Sequence, residues 1–385
     1  MHDPVVIVGA ARTPIGAFLG ALKDVPSPML GARAVAAAVS RAGLSKEGVD
    51  ECAMGCVLTA GLGQAPARQA ALGAGLSEET PCVTINKMCG SGMKAVMDAH
   101  DRLRAESARV IIAGGMESMS NAPYLLERAR SGFRMGHRRV LDHMFLDGLE
   151  DAYEKGRLMG SFAEDCASAY QFTRAMQDEY ALSSLARAQH AMKEGFFDAE
   201  ILPEGLVHDE LPLKADPDAI PRLRAAFRED GTLTAANSSA ISDGAAALAL
   251  TTARYAESEG LTPRAAIVGH ATHAGAPAAF PTAPIAAVRK LVEKLDWSLK
   301  DIDLFEINEA FAVVVMAAMQ DLGLPRDKVN VHGGACALGH PIGASGARII
   351  VTLLAALERH GLKRGIAALC IGGGEATAIA IERLR

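Results

Sequence analysis

The same order of secondary-structure patterns occurs twice in this chain. Ser91 and Gly92 begin a helical pattern that is followed by an apolar strand and two glycines. Ser345 and Gly346 begin a second helical pattern, which is followed by a strand and the glycines at 372–374. A repeat that is weak residue by residue but keeps this order predicts two similar halves. A chain of 385 residues, 50% of them hydrophobic, is long enough to bury the cores of both.

Strand and helix patterns alternate within each half. Apolar strands are predicted at residues 5–9, 49–57, 109–113, 245–251, 265–269, 303–307 and 366–371, with helical patterns between them. This α/β alternation is typical of a mainly parallel sheet that is covered by helices.

The alternation breaks down between about residues 118 and 234, where prolines interrupt an extended stretch at 209–228. We therefore predict an N-terminal half at 1–117, an inserted loop domain at 118–240 and a C-terminal half at 241–385. The loop domain carries a basic cluster, made of Arg128, Arg130, Arg134, His137, Arg138 and Arg139. This cluster is interpreted either as a surface that faces solvent or another subunit, or as a site that captures a polyanion such as a nucleotide phosphate.

Charge and cysteine usage exclude several classes of protein. A net charge of −6 leaves no global basic field for nucleic acid or for an anionic membrane. The first residues contain only a brief apolar run, so we expect neither a signal peptide nor a transmembrane helix. The chain has 7 cysteines, an odd number scattered over its length, which argues against a disulfide framework and for a reducing compartment. We expect a cytoplasmic protein.

Cys89 stands where an apolar strand gives way to a helix, in the stretch NKMCGSGMKAV at residues 86–96. Unpaired N–H groups and the helix dipole stabilise negative charge at a helix N-terminus, so the pattern predicts a thiol with a lowered pKa and a nucleophilic thiolate. The alternative is a small buried cysteine that packs at a tight turn.

Two further stretches bear on this choice. His340 lies in a glycine-rich turn ahead of the second Ser-Gly pair, and Cys370 ends a buried strand before glycines whose bare N–H groups can hold an oxyanion. We predict that Cys89 is a nucleophile, that His340 lowers its pKa or accepts its proton, and that Cys370 is a second acid/base group. Two thiols suit thioester chemistry, because acyl transfer between sulfurs is nearly isoenergetic.

Other interpretations of these residues have weaker support. Cys336 and His340 have a spacing seen in metal sites, but no second Cys/His pair lies nearby, and we expect no metal there. Asn308 precedes an apolar helical pattern and is interpreted as a helix N-cap, a catalytic ligand, or both. The glycine-rich start lacks the pattern of a dinucleotide-binding loop, which argues against a nicotinamide dehydrogenase.

Several long motifs resemble signatures of the thiolase family. They are NKMCGSGMKAV, NEAF at 308–311, GHPIGASGAR at 339–348 and CIGGGEATA at 370–378, together with AARTPIG near the start, AGGMESMS at 113–120 and SSAISDGAA at 238–246. They occur in the family's order and span essentially the whole chain. Within the family the chain is most similar to the branch of acetyl-CoA acetyltransferases, which form acetoacetyl-CoA.

The resemblance implies a thiolase fold, with five αβαβα layers in two duplicated halves and a loop domain over the coenzyme A site. It implies that Cys89 is acetylated by one acetyl-CoA and that Cys370 removes an α-proton from a second. His340 would activate Cys89 and, with a water held by Asn308, stabilise the enolate oxygen. The N–H groups of Cys89 and Gly372 would form the other oxyanion hole.

The resemblance also implies contacts to the substrate. Ser239 matches a serine that touches the pantetheine chain, and Met159 and Phe227 match residues that line its tunnel. Two positions depart from the bacterial biosynthetic branch, because Leu158 stands where that branch has a histidine and Phe280 stands where it has a methionine. With Phe280, the stretch FPTAP at 280–284 resembles the branch that accepts 2-methylacetoacetyl-CoA.

Two alternatives remain open for the function. One is a degradative 3-ketoacyl-CoA thiolase of broader chain length, and the other is a non-catalytic acyl-CoA-binding or scaffold protein that keeps the fold. The resemblance implies acyl-CoA thioesters as substrates, no metal or redox cofactor, and a homo-oligomer, either a tetramer or a dimer.

Overall fold

Twelve β-strands and eleven α-helices lie in residues 3–202 and 206–384, the part of the chain that the computed structural model describes. The strands are β1 (Val5–Arg12), β2 (Gly16–Ala17), β3 (Glu51–Gly55), β4 (Cys82–Ile85), β5 (Val110–Ser118), β6 (Tyr124–Leu125), β7 (Leu141–Asp142), β8 (Ser242–Thr252), β9 (Ala265–Ala274), β10 (Leu304–Ile307), β11 (Arg364–Ile371) and β12 (Glu375–Arg383). The helices are α1 (Ser27–Ala42), α2 (Pro66–Gly73), α3 (Ser91–Arg104), α4 (Met159–Ala169), α5 (Arg174–Lys193), α6 (Glu210–Lys214), α7 (Ala253–Ser258), α8 (Ala283–Leu295), α9 (Ala312–Leu322), α10 (Ala335–Leu338) and α11 (Ile342–His360).

Ten of the strands form one sheet, in the order β10-β11-β12-β9-β1-β8-β5-β3-β4, with β2 paired to the start of β8. Only the pairs β10/β11, β3/β4 and β3/β5 are parallel, and the other pairs of this sheet are antiparallel. The prediction of a mainly parallel sheet is therefore wrong. β12 follows β11 through the short glycine turn at 372–374, and strands joined by so short a connection must run antiparallel.

Helix α11 occupies the centre of the molecule. Its residues from Ile342 to Leu357 are all buried, and a helix without a polar face has to be covered on every side. It lies beside α3, and the two helices contact β5 and β8 on one side and β10, β11 and β12 on the other.

Four further helices cover the outer faces of the sheet. α1 and α2 pack outside β1, β3, β5 and β8, whereas α8 and α9 close the core outside β9, β11 and β12. The succession from α1 to α9 is therefore α, β, α, β, α. This confirms the five-layered fold that the resemblance implied.

The two central helices touch at glycines. A Cβ atom on Gly346 of α11 would lie 2.5 Å from the backbone nitrogen of Met93 of α3, and one on Gly92 would lie 2.9 Å from the backbone nitrogen of Ala347. Real Cβ atoms do not approach backbone this closely. The Ser-Gly pairs that mark the repeat are thus the positions where the two halves meet.

The central strand β8 belongs to the first half of the sheet. It pairs with β1 along Val5–Arg12 and with β5 along Val110–Ser118. β8 begins just after residue 241, the predicted start of the second half, and the domain bounds stay a prediction. The sequence pattern could not show where β8 pairs, because an apolar strand carries no sign of which half it joins.

The segment at 118–240 contains more regular structure than its sequence predicted. The stretch at 209–228, interpreted as extended, contains α6 and a 3₁₀ helix at Pro217–Arg222. The basic cluster lies on the exposed segment between β6 and β7, and its role stays a prediction. In the described part of the chain, no helix is both long and apolar enough to cross a membrane.

A buried carboxylate fastens this segment to the second half. Glu309 accepts hydrogen bonds from the hydroxyls of Tyr180 (2.9 Å) and Ser184 (2.8 Å) on α5. It also accepts from Nδ2 of Asn330 (2.9 Å) and from the backbone N–H of Cys336 (3.0 Å). A buried charge needs partners of this kind, so α5 is held against the second half at the chain position next to Asn308.

The contact between α3 and α11 predicts a large effect of one added methyl group. We expect Gly346→Ala to lower the free energy of unfolding by about 1–3 kcal/mol, because the new Cβ atom forces the two helices apart. Urea unfolding of the purified variant and of the parent protein measures this difference. An unchanged midpoint would show that the helices have room for a methyl group at this position.

Candidate active site

Cys89 lies at the tip of a turn between β4 and α3. The preceding residue, Met88, has a φ angle of 48°, a left-handed conformation that is uncommon for a non-glycine residue. Side chains on both sides hold this turn: Asn86 Oδ1 accepts from the backbone N–H of Met88 (3.0 Å), and Ser91 Oγ accepts from the N–H of Lys87 (2.8 Å) and donates to the carbonyl of Met88 (2.6 Å). Strained backbone that is fixed in this way is typical of functional sites.

Seven of the predicted site residues line one narrow cavity of about 60 Å³. They are Cys89, His340, Cys370, Gly372, Ser239, Met159 and Phe280. The cavity walls also include residues that the sequence analysis did not single out: Met88, Gly148, Leu149, Ala310, Phe311 and Ile342. The three chemically active side chains therefore converge, although Cys89 and His340 come from loops and Cys370 from strand β11.

Burial, rather than the helix terminus, decides the state of Cys89. It raises the pKa of the Cys89 thiol to about 11, although the backbone N–H groups of Gly372 and Cys89 itself lie close enough to Sγ to favour the thiolate. The carboxylate of Glu117 raises this pKa further. The prediction of a lowered pKa is therefore wrong for the free protein, because desolvation outweighs these donors. The same two N–H groups are the predicted oxyanion donors.

His340 is held by a short hydrogen bond on one side of its ring. Its Nδ1 lies 2.5 Å from Ser345 Oγ, and Ser345 Oγ donates to the carbonyl of Pro341 (3.0 Å). The serine hydroxyl must then accept from Nδ1–H, which leaves Nε2 as a free base. Nε2 is buried and has no partner in the described part of the chain. Burial and the positive charge of Arg348 lower the pKa of His340 to about 3, so the imidazole is neutral.

Cys370 is the next-to-last residue of β11 and lines the same cavity as Cys89. Burial raises the pKa of its thiol well above the ordinary value, and the neighbouring Cys89 raises it further. The Cys370 thiol is therefore neutral in the free protein.

Two predicted residues, Asn308 and Phe227, are not among those that line the cavity. Asn308 follows β10 and is buried, and neither its Oδ1 nor its Nδ2 has a partner among the described residues. Helix α9 begins only at Ala312, so the interpretation of Asn308 as its N-cap is wrong. Phe227 packs edge-on against Phe311, with ring centroids 5.8 Å apart.

Two functional positions were missed by sequence reasoning. Ser345, which orients His340, was seen only as part of a Ser-Gly helix start, but α11 begins earlier, at Ile342. Glu117 accepts from the backbone N–H groups of Val57 (3.0 Å), Leu58 (3.1 Å) and Gly343 (2.9 Å), and so connects two loops that surround Cys89. The sequence signal for Glu117 was its acidic side chain at the end of the otherwise apolar strand β5, where a buried charge needs partners.

Comparison with known proteins covers the whole chain. The model for the thiolase N-terminal domain matches residues 5–254, and that for the thiolase C-terminal domain matches residues 261–383. The chain is 47% identical to an acetyl-CoA acetyltransferase of Cupriavidus necator, over 98% of this chain and 99% of the relative.

Solved structures agree with this. The Acat5 thiolase of Ascaris suum in complex with coenzyme A has a TM-score of 0.95 at 41% identity, with 99% of this chain and 100% of that chain covered. The Bacillus anthracis acetyl-CoA acetyltransferase has a TM-score of 0.96 at 41% identity, with 100% of this chain and 99% of that chain covered.

The raised pKa predicts how Cys89 responds to pH. We expect the rate of Cys89 alkylation by iodoacetamide to increase about tenfold per pH unit from about pH 7 to 9, because the thiolate fraction grows in this way below a pKa of about 11. Peptide-resolved mass spectrometry measures the rate.

Cys82 provides the comparison within the same chain. Its thiol is half-buried, and a hydrogen bond with the Cys52 thiol and the nearby Arg68 lower its pKa. Alkylation of Cys82 should therefore level off at lower pH. A rate for Cys89 that is already independent of pH near neutrality would contradict the neutral thiol.

Proposed function

Because the chain belongs to the thiolase family, we propose that it is an acetyl-CoA C-acetyltransferase. It condenses two molecules of acetyl-CoA, reversibly, to acetoacetyl-CoA and free coenzyme A through an acetyl group on Cys89. The observation that carries this proposal is the convergence of Cys89, His340 and Cys370 on one cavity.

In the first half-reaction, Sγ of Cys89 attacks the thioester carbon of acetyl-CoA. The thiol proton passes to the free Nε2 of His340, and the N–H groups of Cys89 and Gly372 hold the oxyanion. One such donor contributes roughly 2.7–4 kcal/mol to stabilising a transition state. The carbon–sulfur bond to coenzyme A then breaks, and the leaving thiolate takes the proton of Cys370.

In the second half-reaction, the Cys370 thiolate removes an α-proton from a second acetyl-CoA. The protonated Nε2 of His340, together with a water held by Asn308, stabilises the enolate oxygen. The enolate carbon attacks the acetyl group on Cys89, and the bond to Sγ breaks. The Cys89 thiolate regains its proton from His340, which restores both neutral groups and balances the cycle.

The cavity favours short acyl groups. Phe280 is only 3% exposed and lines the cavity. Its ring packs edge-on against Phe162 at 6.2 Å and Phe311 at 6.4 Å. A wall of packed aromatic rings does not yield to a long acyl chain without a loss of packing, which supports the four-carbon product over the degradative alternative.

The substrate reaches this cavity under the loop domain at 118–240. We infer that Ser239 contacts the pantetheine chain, and that Met159 and Phe227 form the tunnel around it. Gly160 supports this placement, since a Cβ atom there would lie 2.3 Å from the ring of Phe227. Leu158 offers no polar group to coenzyme A. Coenzyme A itself is the ligand in the complex of the similar Ascaris suum thiolase.

The remaining expectations concern assembly and surroundings. Acyl-CoA thioesters are already activated, so the chemistry above uses no cofactor. We infer a homo-oligomer, a dimer or tetramer, because β4 is an edge strand and its Val83 is 44% exposed. We also infer a cytoplasmic location from the unpaired cysteines.

The two thiols should separate the half-reactions. We expect Cys370→Ala still to form the acetyl-enzyme with acetyl-CoA, more slowly than the parent protein because coenzyme A then leaves without the Cys370 proton, but to lose condensation by more than about 10³-fold. We expect Cys89→Ser to lose both acetylation at residue 89 and condensation. Intact-protein mass spectrometry detects the acetyl group, and a coupled assay measures condensation. Cys82→Ala, which changes a thiol outside the cavity, serves as the control. A folded Cys370→Ala protein that cannot be acetylated would contradict this division of roles.

The packed wall around Phe280 predicts substrate choice. In coenzyme A-dependent cleavage at equal concentrations, we expect acetoacetyl-CoA to be cleaved faster than 3-ketooctanoyl-CoA, and Phe280→Ala to narrow this ratio by about tenfold or more. Cleavage of 2-methylacetoacetyl-CoA tests whether the cavity beside Phe280 accepts a methyl group at C2 of the substrate. A preference of the parent protein for the eight-carbon substrate would favour a degradative thiolase, and no cleavage of any substrate would favour a non-catalytic protein.

A further inference from the structure

Two histidines and one aspartate converge at the end of α3 that is distant from Cys89. His100 and Asp101 lie in the last turn of this helix, and His270 lies on β9. One ligand atom from each of the three residues lies within 4.8 Å of the others, and among the described residues this is the one such group of three or more. None of the three belongs to the site described above.

The two imidazole nitrogens contact the same carboxylate oxygen. His100 Nδ1 lies 3.0 Å and His270 Nε2 lies 2.9 Å from the same oxygen, Oδ1 of Asp101. Ligand atoms that bind zinc tetrahedrally at 2.0–2.1 Å are about 3.3 Å apart. The two nitrogen–oxygen distances are within a few tenths of an ångström of this value, and the two imidazole nitrogens lie within 4.8 Å of each other. Binding of an ion requires each imidazole to lose the N–H that it directs at Asp101 and the two nitrogens to turn toward a shared centre.

We propose that His100, Asp101 and His270 form a binding site for Zn²⁺ that links α3 to β9. Two imidazoles and one carboxylate are a ligand set that zinc accepts, and they leave a fourth position for water. Without an ion, each imidazole donates its N–H to the Asp101 carboxylate. With Zn²⁺ bound, the ion takes the place of these two protons.

The supporting elements make this arrangement rigid. The His100 side chain is buried, and its ring meets that of His270 edge-on, with centroids 5.0 Å apart and an interplanar angle of 89°. His270 lies in the middle of β9, where it is in register with Ile379 of β12. A site on regular elements keeps its ligands in place.

Access and charge fit a weakly shielded site at the surface. The side chain of Asp101 is 59% exposed, which gives an ion a path from solvent. The ammonium group of Lys294 donates to the carbonyl of His270 (3.2 Å), and its positive charge opposes a cation. Binding to the three ligands has to exceed this repulsion.

The site joins the two halves of the fold and shares no residue with the cavity around Cys89. The rise of α3 places His100 about 15 Å from its N-terminus, where Cys89 lies, and β9 pairs along most of its length with β12 of the second half. A bound ion therefore acts as a cross-link between the halves. Its effect should appear in stability and leave the proposed condensation rate unchanged.

Cobalt titration of the full-length, tag-free protein tests the proposal, since Co²⁺ replaces Zn²⁺ and reports its ligands by absorption. We expect one Co²⁺ per chain with a visible d–d band and no thiolate-to-cobalt charge-transfer band, because the ligands are nitrogen and oxygen. Asp101→Asn and His270→Gln should each weaken binding by about 100-fold or more. Zn²⁺ should raise the Tm of the parent protein by about 3–5 °C, and this rise should disappear in both variants.

Matched controls come from the same elements. Asp98→Asn removes a carboxylate one turn earlier on α3, and His273→Gln removes a histidine three residues further along β9; both should bind Co²⁺ like the parent protein. Undiminished binding in His270→Gln, a charge-transfer band from thiolate, or no d–d band at any Co²⁺ concentration would each overturn the zinc site. A protein that binds no Co²⁺ but has normal thiolase activity would overturn the zinc site and leave the proposed function intact.

Discussion

The close contact between α3 and α11 is the constraint on which the rest of the structure depends. Glycine at 92 and at 346 lets the two backbones approach to a distance that a single methyl group would block. Each helix is preceded by a loop that carries a reactive group, Cys89 before α3 and His340 before α11. Bringing the helices together therefore brings the thiol and the imidazole into one cavity, and Cys370 reaches it from β11, which packs on α11.

Local patterns predicted the parts of this arrangement that local physics determines. The change from an apolar strand to a glycine turn and a helix located Cys89, and the order of the repeat located His340 and Cys370 at corresponding places. Strand direction was not predictable in this way, because a strand such as β8 has the same pattern whether its neighbours run with it or against it. Ser345 was missed for a similar reason, since its bond to His340 depends on a helix that begins three residues earlier than the pattern indicated.

The protonation state of Cys89 shows that burial by residues distant in sequence has a larger effect than the dipole of its own helix. A helix start favours a thiolate, but Cys89 is enclosed by both halves and its pKa rises to about 11. His340, kept neutral by burial and by Arg348, is available as a base at the same place. The resting site therefore holds no free charge, and the substrate's own developing oxyanion is what the N–H groups of Cys89 and Gly372 are arranged to receive.

The position of β8 determines when the first half of the sheet can be completed. β5 leaves the sheet at Ser118 and the chain returns beside it at Asp243, the partner of Ser118 in the register. Asp243 closes this junction, because its carboxylate accepts from the backbone N–H (2.9 Å) and the hydroxyl (2.6 Å) of Ser120. Topologically, everything between these residues is the loop of one very long hairpin. During synthesis the ribosome must therefore make the whole of that loop before β8 can fill the gap between β1 and β5, so the first half of the enzyme cannot finish folding until most of the chain has emerged.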